Sequence, residues 1–331
     1  MRVGIDARKI ADFGIGTYIR GLLGGLVALG TNDEYVAFAP QGAPIPDGVE
    51  HIAIDVPHYS MRELLVVGSA ANRARLDVFH APHYVVPFTR VPLVVTIHDL
   101  IHLHQPMRNP LGRVYARTMM RRAVKRARRV LTVTEAVKSQ LERELGARDV
   151  MVTPNGVDRI DGLRARRSSY FAYVGNDKVH KNVDALVEAI ALVPDARLVL
   201  VGAPFDRFRG RERIDVRGFV RDEELSALYR DAIALVMASH EEGFGLPALE
   251  AMAHGTAVIT SNDAALVEVT ADAALHVDAR DVRSLADAML RVARDADLRE
   301  RLGAIGVERA RRFTWKRCAE LTRTAYEAAS K

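Results

Sequence analysis

Short apolar runs alternate with amphipathic helical patterns almost from end to end of this chain, and the alternation is interrupted once and then restarts. A run such as Val94-Val95-Thr96-Ile97 has no polar face, so it suits a strand buried on both sides in a parallel sheet covered by helices. In the first half such runs predict strands near 2–6, 35–39, 51–54, 78–80, 93–97, 129–133 and 150–152. Helical spacing predicts helices near 16–29, 61–74, 111–126 and 135–145. Pro154-Asn155-Gly156 then breaks the pattern, and 158–168 is polar, arginine-rich and without a core face, which predicts a linker. Strands follow near 170–174, 198–201, 214–216, 233–237, 258–260 and 275–277, with helices from about 182, at 222–231, after 245, and at 282–294, 297–312 and 314–329. Strand–helix alternation of this kind predicts an α/β chain with two parallel-sheet domains facing a cleft. The expected domains are 1–160 and 161–312, with a last helix, 313–331, packing back on the first.

Composition narrows the class. Hydrophobic residues at 49% with 27% charged residues suit a soluble globular chain of 331 residues, long enough for two domains. One cysteine, Cys318, excludes an internal disulfide and suits a reducing compartment. No apolar run approaches the roughly 20 residues needed to cross a bilayer. The chain opens directly on a strand with no signal-like segment, so the expected location is cytoplasmic or peripheral at the cytoplasmic membrane face. The net charge of +5 is uneven: between Asp99 and Glu135 there is no acid, but there are Arg108, Arg113, Arg117, Arg121, Arg122, Lys125, Arg126, Arg128 and Arg129. This basic amphipathic stretch, 108–129, is a solvated face or a contact for an anionic membrane surface. Nucleic acid is not expected, because aromatics are sparse there and no nucleic-acid motif accompanies the charge.

The segment His240-Glu241-Glu242-Gly243-Phe244-Gly245-Leu246-Pro247-Ala248-Leu249-Glu250 carries the chemistry. It follows the apolar run 233–237 and opens a helix, so free N–H groups and a positive dipole end face whatever binds there. That suits phosphate. Glu242 and Glu250 do not, but carboxylates accept strongly from neighbouring hydroxyls. Phosphates and diols together are the composition of a nucleotide sugar. Lys181, at the start of the helix after Gly175-Asn176, adds an ammonium for a diphosphate. His98-Asp99 ends a buried strand. Asp6-Ala7-Arg8 ends the first strand, before Gly14-Ile15-Gly16-Thr17-Tyr18, whose G-x-G-x4-G spacing (Gly14, Gly16, Gly21) differs from a dinucleotide fingerprint. His80, His83, His102 and His104 have no metal-ligand spacing, so no metal is expected.

Glu242 to Glu250, with Gly-Phe-Gly-Leu-Pro between them, resembles the E-x7-E signature of the retaining family-4 glycosyltransferases of the GT-B fold. The likeness extends over nearly the whole chain, through Gly-Ile-Asp-Ala-Arg, Gly-Ile-Gly-Thr-Tyr, Ile-His-Asp and Asn-Gly-Val-Asp, and looks closest to bacterial polysaccharide mannosyltransferases. It implies a nucleoside-diphosphate-sugar donor, GDP-mannose first, a glycan or lipid-linked acceptor, front-side displacement with retention, and no cofactor. Lys181 then neutralises the leaving diphosphate, while the amides of Gly16, Gly243, Phe244, Gly245 and Leu246 approach the donor. Glu250 holds the ribose and Glu242 the sugar hydroxyls. His98 holds the transferred sugar, and the turn at Gly218, Phe219 and Val220 meets the base. Arg8 serves phosphate or acceptor; Tyr18 and Asp99 lie toward the acceptor. Relatives often carry arginine where this chain has Asn176 or His180. The competing readings are a UDP-sugar transferase, a sugar-nucleotide epimerase of the same fold, and a non-catalytic nucleotide-sugar-binding protein.

Overall fold

A computed structural model describes residues 1–105, 110–157 and 169–331. The expected linker over 158–168, and Arg108 of the basic segment, lie outside the described residues. The chain divides into two units, Met1–Asp158 with Phe313–Lys331, and Arg159–Arg312.

The first unit is built on a parallel sheet of β1 (Arg2–Asp6), β2 (Glu34–Ala39), β3 (Glu50–Ala53), β4 (Val78–Ala81), β5 (Leu93–Thr96), β6 (Arg129–Thr132) and β7 (Met151–Val152), in the order β3-β2-β1-β4-β5-β6-β7. The connections run through α1 (Gly14–Ala28), α2 (Met61–Arg73), a short α3 (Ile101–His104), α4 (Pro110–Arg126) and α5 (Glu135–Leu145). Ser60 caps α2 by accepting from the Glu63 amide at 3.2 Å, and Thr134 caps α5 through Val137 at 3.2 Å. Val36, Phe38, Phe79, Val95 and Met120 are fully buried between sheet and helices. The C-terminal helix, Trp315–Ser330, belongs to this unit and lies along α1. Gly21 makes that approach possible, because a Cβ there would fall 2.1 Å from the Trp315 indole. Tyr326 then bonds His80 Nδ1 at 2.7 Å beneath β4.

The second unit repeats the principle with β8 (Tyr170–Gly175), β9 (Arg197–Gly202), β10 (Ile214–Gly218), β11 (Ala234–Met237), β12 (Ala257–Ser261) and β13 (Ala274–Val277), again all parallel, in the order β10-β9-β8-β11-β12-β13. Its helices are α6 (Val183–Ala191), α7 (Asp222–Asp231), α8 (Leu246–Ala253), α9 (Ala264–Thr270), α10 (Val282–Arg294) and α11 (Ala296–Ala310). Phe171, Leu186, Leu200, Val236, Ile259 and Met289 fill its core. The strand order reverses between β8 and β11, a switch point at whose carboxyl ends open α/β sheets bind ligands. In the first unit the corresponding reversal falls between β1 and β4. Among the described residues no helix is long and apolar enough to cross a membrane.

Candidate active site

The carboxyl ends of β8 and β11 in the second unit lead to Gly175, Asn176 and Lys181 on one side and to Glu242 and the start of α8 on the other. Gly175 ends β8, and a 3₁₀ turn over Val179–Lys181 leads through Asn182, in the left-handed region at φ 55°, into α6. The Asn182 side-chain amide donates to Ala238 O at 3.1 Å and Ala279 O at 2.7 Å, and the His240 amide donates to His180 O at 2.7 Å. The loops after β8, β11 and β13 are therefore stitched together by backbone acceptors. Lys181 is fixed by this stitching, and its Nζ lies 2.6 Å from Glu242 Oε1.

Gly243 and Phe244 are buried, and Leu246 is half-buried at the start of α8. Gly245 caps that helix at φ 87°, a left-handed conformation that calls for glycine, and a Cβ there would also have to displace the tip of Leu266, whose Cδ2 would be 2.4 Å away. Glu250 stands in α8, half-buried, with Oε2 accepting from the Tyr229 hydroxyl at 2.7 Å. Burial pushes its carboxyl up to about 7; the Tyr229 bond opposes the rise and Asp222 adds to it. At the end of β10, Gly218 takes φ 66°, Phe219 is exposed and Val220 half-buried. Asn176 Oδ1 accepts from the Lys178 amide at 3.3 Å.

Three residues here escaped the sequence reading. Asp263 caps α9 by accepting from the Ala265 and Leu266 amides at 3.0 and 3.2 Å, and it also takes the Glu242 amide. Burial, reinforced by the Glu242 charge, pushes its carboxyl up to about 6. An aspartate just before Ala-Ala-Leu-Val is a helix-start signal that was available in the sequence. Tyr229 sits in α7, and nothing in its local sequence points to Glu250. Arg207 spans Asp177 at 2.7 Å and Asp184 at 2.6 Å, clamping the loop that carries Asn176.

The remaining expected residues lie in the first unit. His98 follows β5, and its Nε2 donates to Pro82 O at 3.1 Å, which leaves Nδ1 as an acceptor. Burial lowers its imidazole to about 4, so it is neutral at physiological pH. Tyr18 packs edge-on against it at 4.6 Å but is fully buried, with its hydroxyl 3.0 Å from Thr96 Oγ1. The expected contact of Tyr18 with an acceptor gives way to support of the His98 ring. Asp99 Oδ1 accepts from the Ile101 amide at 3.0 Å and so starts α3. Arg8 corrects a second expectation. Its guanidinium is buried and holds Asp6 through Nε (2.9 Å) and Nη2 (2.8 Å) and Glu63 through Nη1 (2.9 Å), so each of its nitrogens already serves a carboxylate. Gly16 is buried in the first turn of α1, where a Cβ would meet Ile10 O at 2.6 Å. No cluster of three potential metal-binding side chains occurs among the described residues.

Two Rossmann-like units in one chain, with the last helix returned to the first unit, are the architecture of the GT-B glycosyltransferases. A family model described as "Glycosyltransferase Family 4" matches residues 14–159, and one described as "Glycosyl transferases group 1" matches residues 158–309. The chain belongs to these family-4 glycosyltransferases. It is 28% identical over 281 residues to O-antigen chain mannosyltransferase B of Escherichia coli, covering 76% of this chain and 74% of that one. It is 30% identical over 216 residues to O-antigen chain mannosyltransferase RfbU of Salmonella typhimurium, covering 61% of each. In structure it is similar to a sucrose-phosphate synthase from Thermosynechococcus elongatus, with a TM-score of 0.83 at 21% identity over 99% of this chain and 98% of that one.

Proposed function

We propose that this glycosyltransferase moves a hexose, with retention, from a nucleoside-diphosphate sugar to a hydroxyl of a glycan or lipid-linked acceptor, with GDP-mannose as donor. The observation that carries the reading is the cation and carboxylate, Lys181 and Glu242, in contact at the β8–β11 switch point, with Glu250 eight residues further on. As the anomeric bond breaks, negative charge grows on the departing diphosphate, and Lys181 with the amides at Gly243-Phe244-Gly245 stabilises it. Glu250 takes the ribose hydroxyls and Glu242 those of the sugar. The two mannosyltransferase relatives favour mannose. Thermal-shift measurements with GDP, UDP, ADP and their sugars test the donor, since a ligand at 100 times its dissociation constant adds about 2.7 kcal/mol of stability. NMR of the product tests retention: a β-linked product from an α-linked donor overturns it.

The state of Glu250 gives this reading a pH dependence. Its carboxyl is raised to about 7 in the ligand-free protein, so the acceptor form that ribose needs is filled in only as pH rises through neutrality. Affinity for GDP should therefore increase by about tenfold between about pH 6 and about pH 8. Glu250→Gln should bind GDP weakly and lose that component of the slope; subtracting the two profiles removes the nucleotide's own ionisation. Parallel profiles in calorimetric titrations would remove Glu250 from the nucleotide site.

The acceptor's proposed lipid carrier suggests a membrane contact through α4. Arg113, Arg121, Lys125 and Arg126 are exposed there, as is Arg128 just beyond its end, and Val114 is 62% exposed. Three of the basic side chains are tied to backbone carbonyls: Arg122 donates to Val86 O and Pro87 O and stacks at 4.2 Å over Phe88, Arg126 donates to Thr89 O and Arg128 to Ala329 O. Replacing Arg113, Arg121 and Lys125 by Gln should abolish binding to anionic vesicles at low salt while sparing donor hydrolysis, since each base near such a surface contributes about 1 kcal/mol. Flotation with no vesicle binding by the unmodified protein would return α4 to a solvated face.

A further inference from the structure

Lys181 and Glu242 are satisfied by each other before any ligand arrives. The Nζ–Oε1 distance is 2.6 Å, and only 18% and 7% of the two side chains are exposed. Neither end is free to drift. Asn182, next to Lys181, is tied to Ala238 O and Ala279 O, and His240, two residues before Glu242, is tied to His180 O. The Glu242 amide is itself held by the Asp263 carboxylate, which also faces the Glu242 charge. A diphosphate that takes Lys181 must draw the ammonium off Glu242. A buried carboxylate then stands without its cation, beside Asp263 and beside new phosphate charge, which is costly. An intact nucleotide sugar removes that cost, because its hexose hydroxyls donate to Glu242 as its diphosphate takes Lys181.

We propose that the Lys181–Glu242 ion pair is a specificity device: it sets the preference for an intact nucleotide sugar over a spent nucleoside diphosphate, because a diphosphate arriving without a hexose strands Glu242. The inference rests on the donor-site reading given above. It has a consequence of unusual sign, since removing a carboxylate from the site should tighten binding of the product. It also eases release after transfer: once the hexose has left, Glu242 is again available to reclaim Lys181 from the diphosphate.

The test is calorimetric titration of the full chain with GDP and GDP-mannose, or with UDP and UDP-glucose if thermal shift selects uridine. Glu242→Gln should bind the plain diphosphate on the order of tenfold more tightly than the unmodified protein, the scale of one partly buried ion pair, and should not gain affinity for the nucleotide sugar. Lys181→Ala should weaken diphosphate binding. The double variant should gain much less affinity over Lys181→Ala than Glu242→Gln gains over the unmodified protein, because most of the carboxylate's effect runs through the lysine. If Glu242→Gln fails to fold, Glu242→Asp, which keeps the charge but shortens its reach, should show the same direction with a smaller factor. Unchanged diphosphate binding in Lys181→Ala defeats the donor-site reading itself. Weaker binding in Lys181→Ala, together with unchanged or weaker binding in the Glu242 variants, overturns the ion-pair proposal alone.

Discussion

Lys181→Ala is expected to slow sugar transfer by about two to three orders of magnitude, the scale of losing one preorganised stabiliser of developing charge. Lys181 is the cation that the stitched loops hold at the carboxyl ends of β8 and β11. Its removal has a second effect that has to be separated from the first. Glu242 loses its partner, and a carboxylate that is 7% exposed becomes uncompensated. Because Lys181 itself is 18% exposed and reached by solvent, the stability cost should be modest, about 1–2 kcal/mol. Adding Glu242→Gln removes the stranded charge, so the double variant should recover stability without recovering transfer. Urea unfolding and initial rates on the three proteins decide the point. Near-normal turnover in a folded Lys181→Ala protein would take Lys181 out of the chemistry.

The alternation of apolar runs made both sheets legible, because strands buried on two faces need no partner to announce themselves. Predicted strand limits differ from the observed ones mainly by a residue or two; β10, for instance, extends through Gly218, where the pattern ended at 216. The helix α9 was not read, since seven residues between two strands give too little period to count. The second unit's candidate residues were legible as candidates because their segments follow the carboxyl ends of strands in a parallel sheet. What a side chain does after the strand ends was much less legible. Arg8 follows the first strand as a ligand-binding arginine would, yet the deciding fact is Glu63, 55 residues away, which with Asp6 engages all three of its guanidinium nitrogens in a buried network. Tyr18 opens a glycine-rich helix, and only the packing of α1 against β5 puts its hydroxyl on Thr96. Tyr229 reaches Glu250 from another helix altogether. Such contacts are set by tertiary packing over long separations, which neither periodicity nor motif spacing records.

Gly202→Ala is expected to cost the second unit about 3 kcal/mol or more, the range of severe backbone and core defects. Gly202 ends β9 at φ 118°, in a region L side chains rarely enter, and it is in register with Gly175 at the end of β8. A Cβ at Gly202 would lie 1.9 Å from Gly175 O and 3.0 Å from Gly175 C, so no rotamer relieves the clash and the backbone has to move. The backbone that moves is the one leading to Asn176 and Lys181. Stability and nucleotide affinity should therefore fall together, although Gly202 is outside the proposed donor contacts. Gly30→Ala supplies the control: Gly30 is also left-handed, at φ 63°, but nothing lies within 4 Å of its added Cβ. That variant should show only the conformational penalty, about 1 kcal/mol, with nucleotide binding untouched. Urea midpoints and GDP titrations on the two variants separate strain from collision. Equal losses of stability in both, with normal GDP affinity in Gly202→Ala, would mean that the Gly175–Gly202 approach does not govern the loop that carries Lys181.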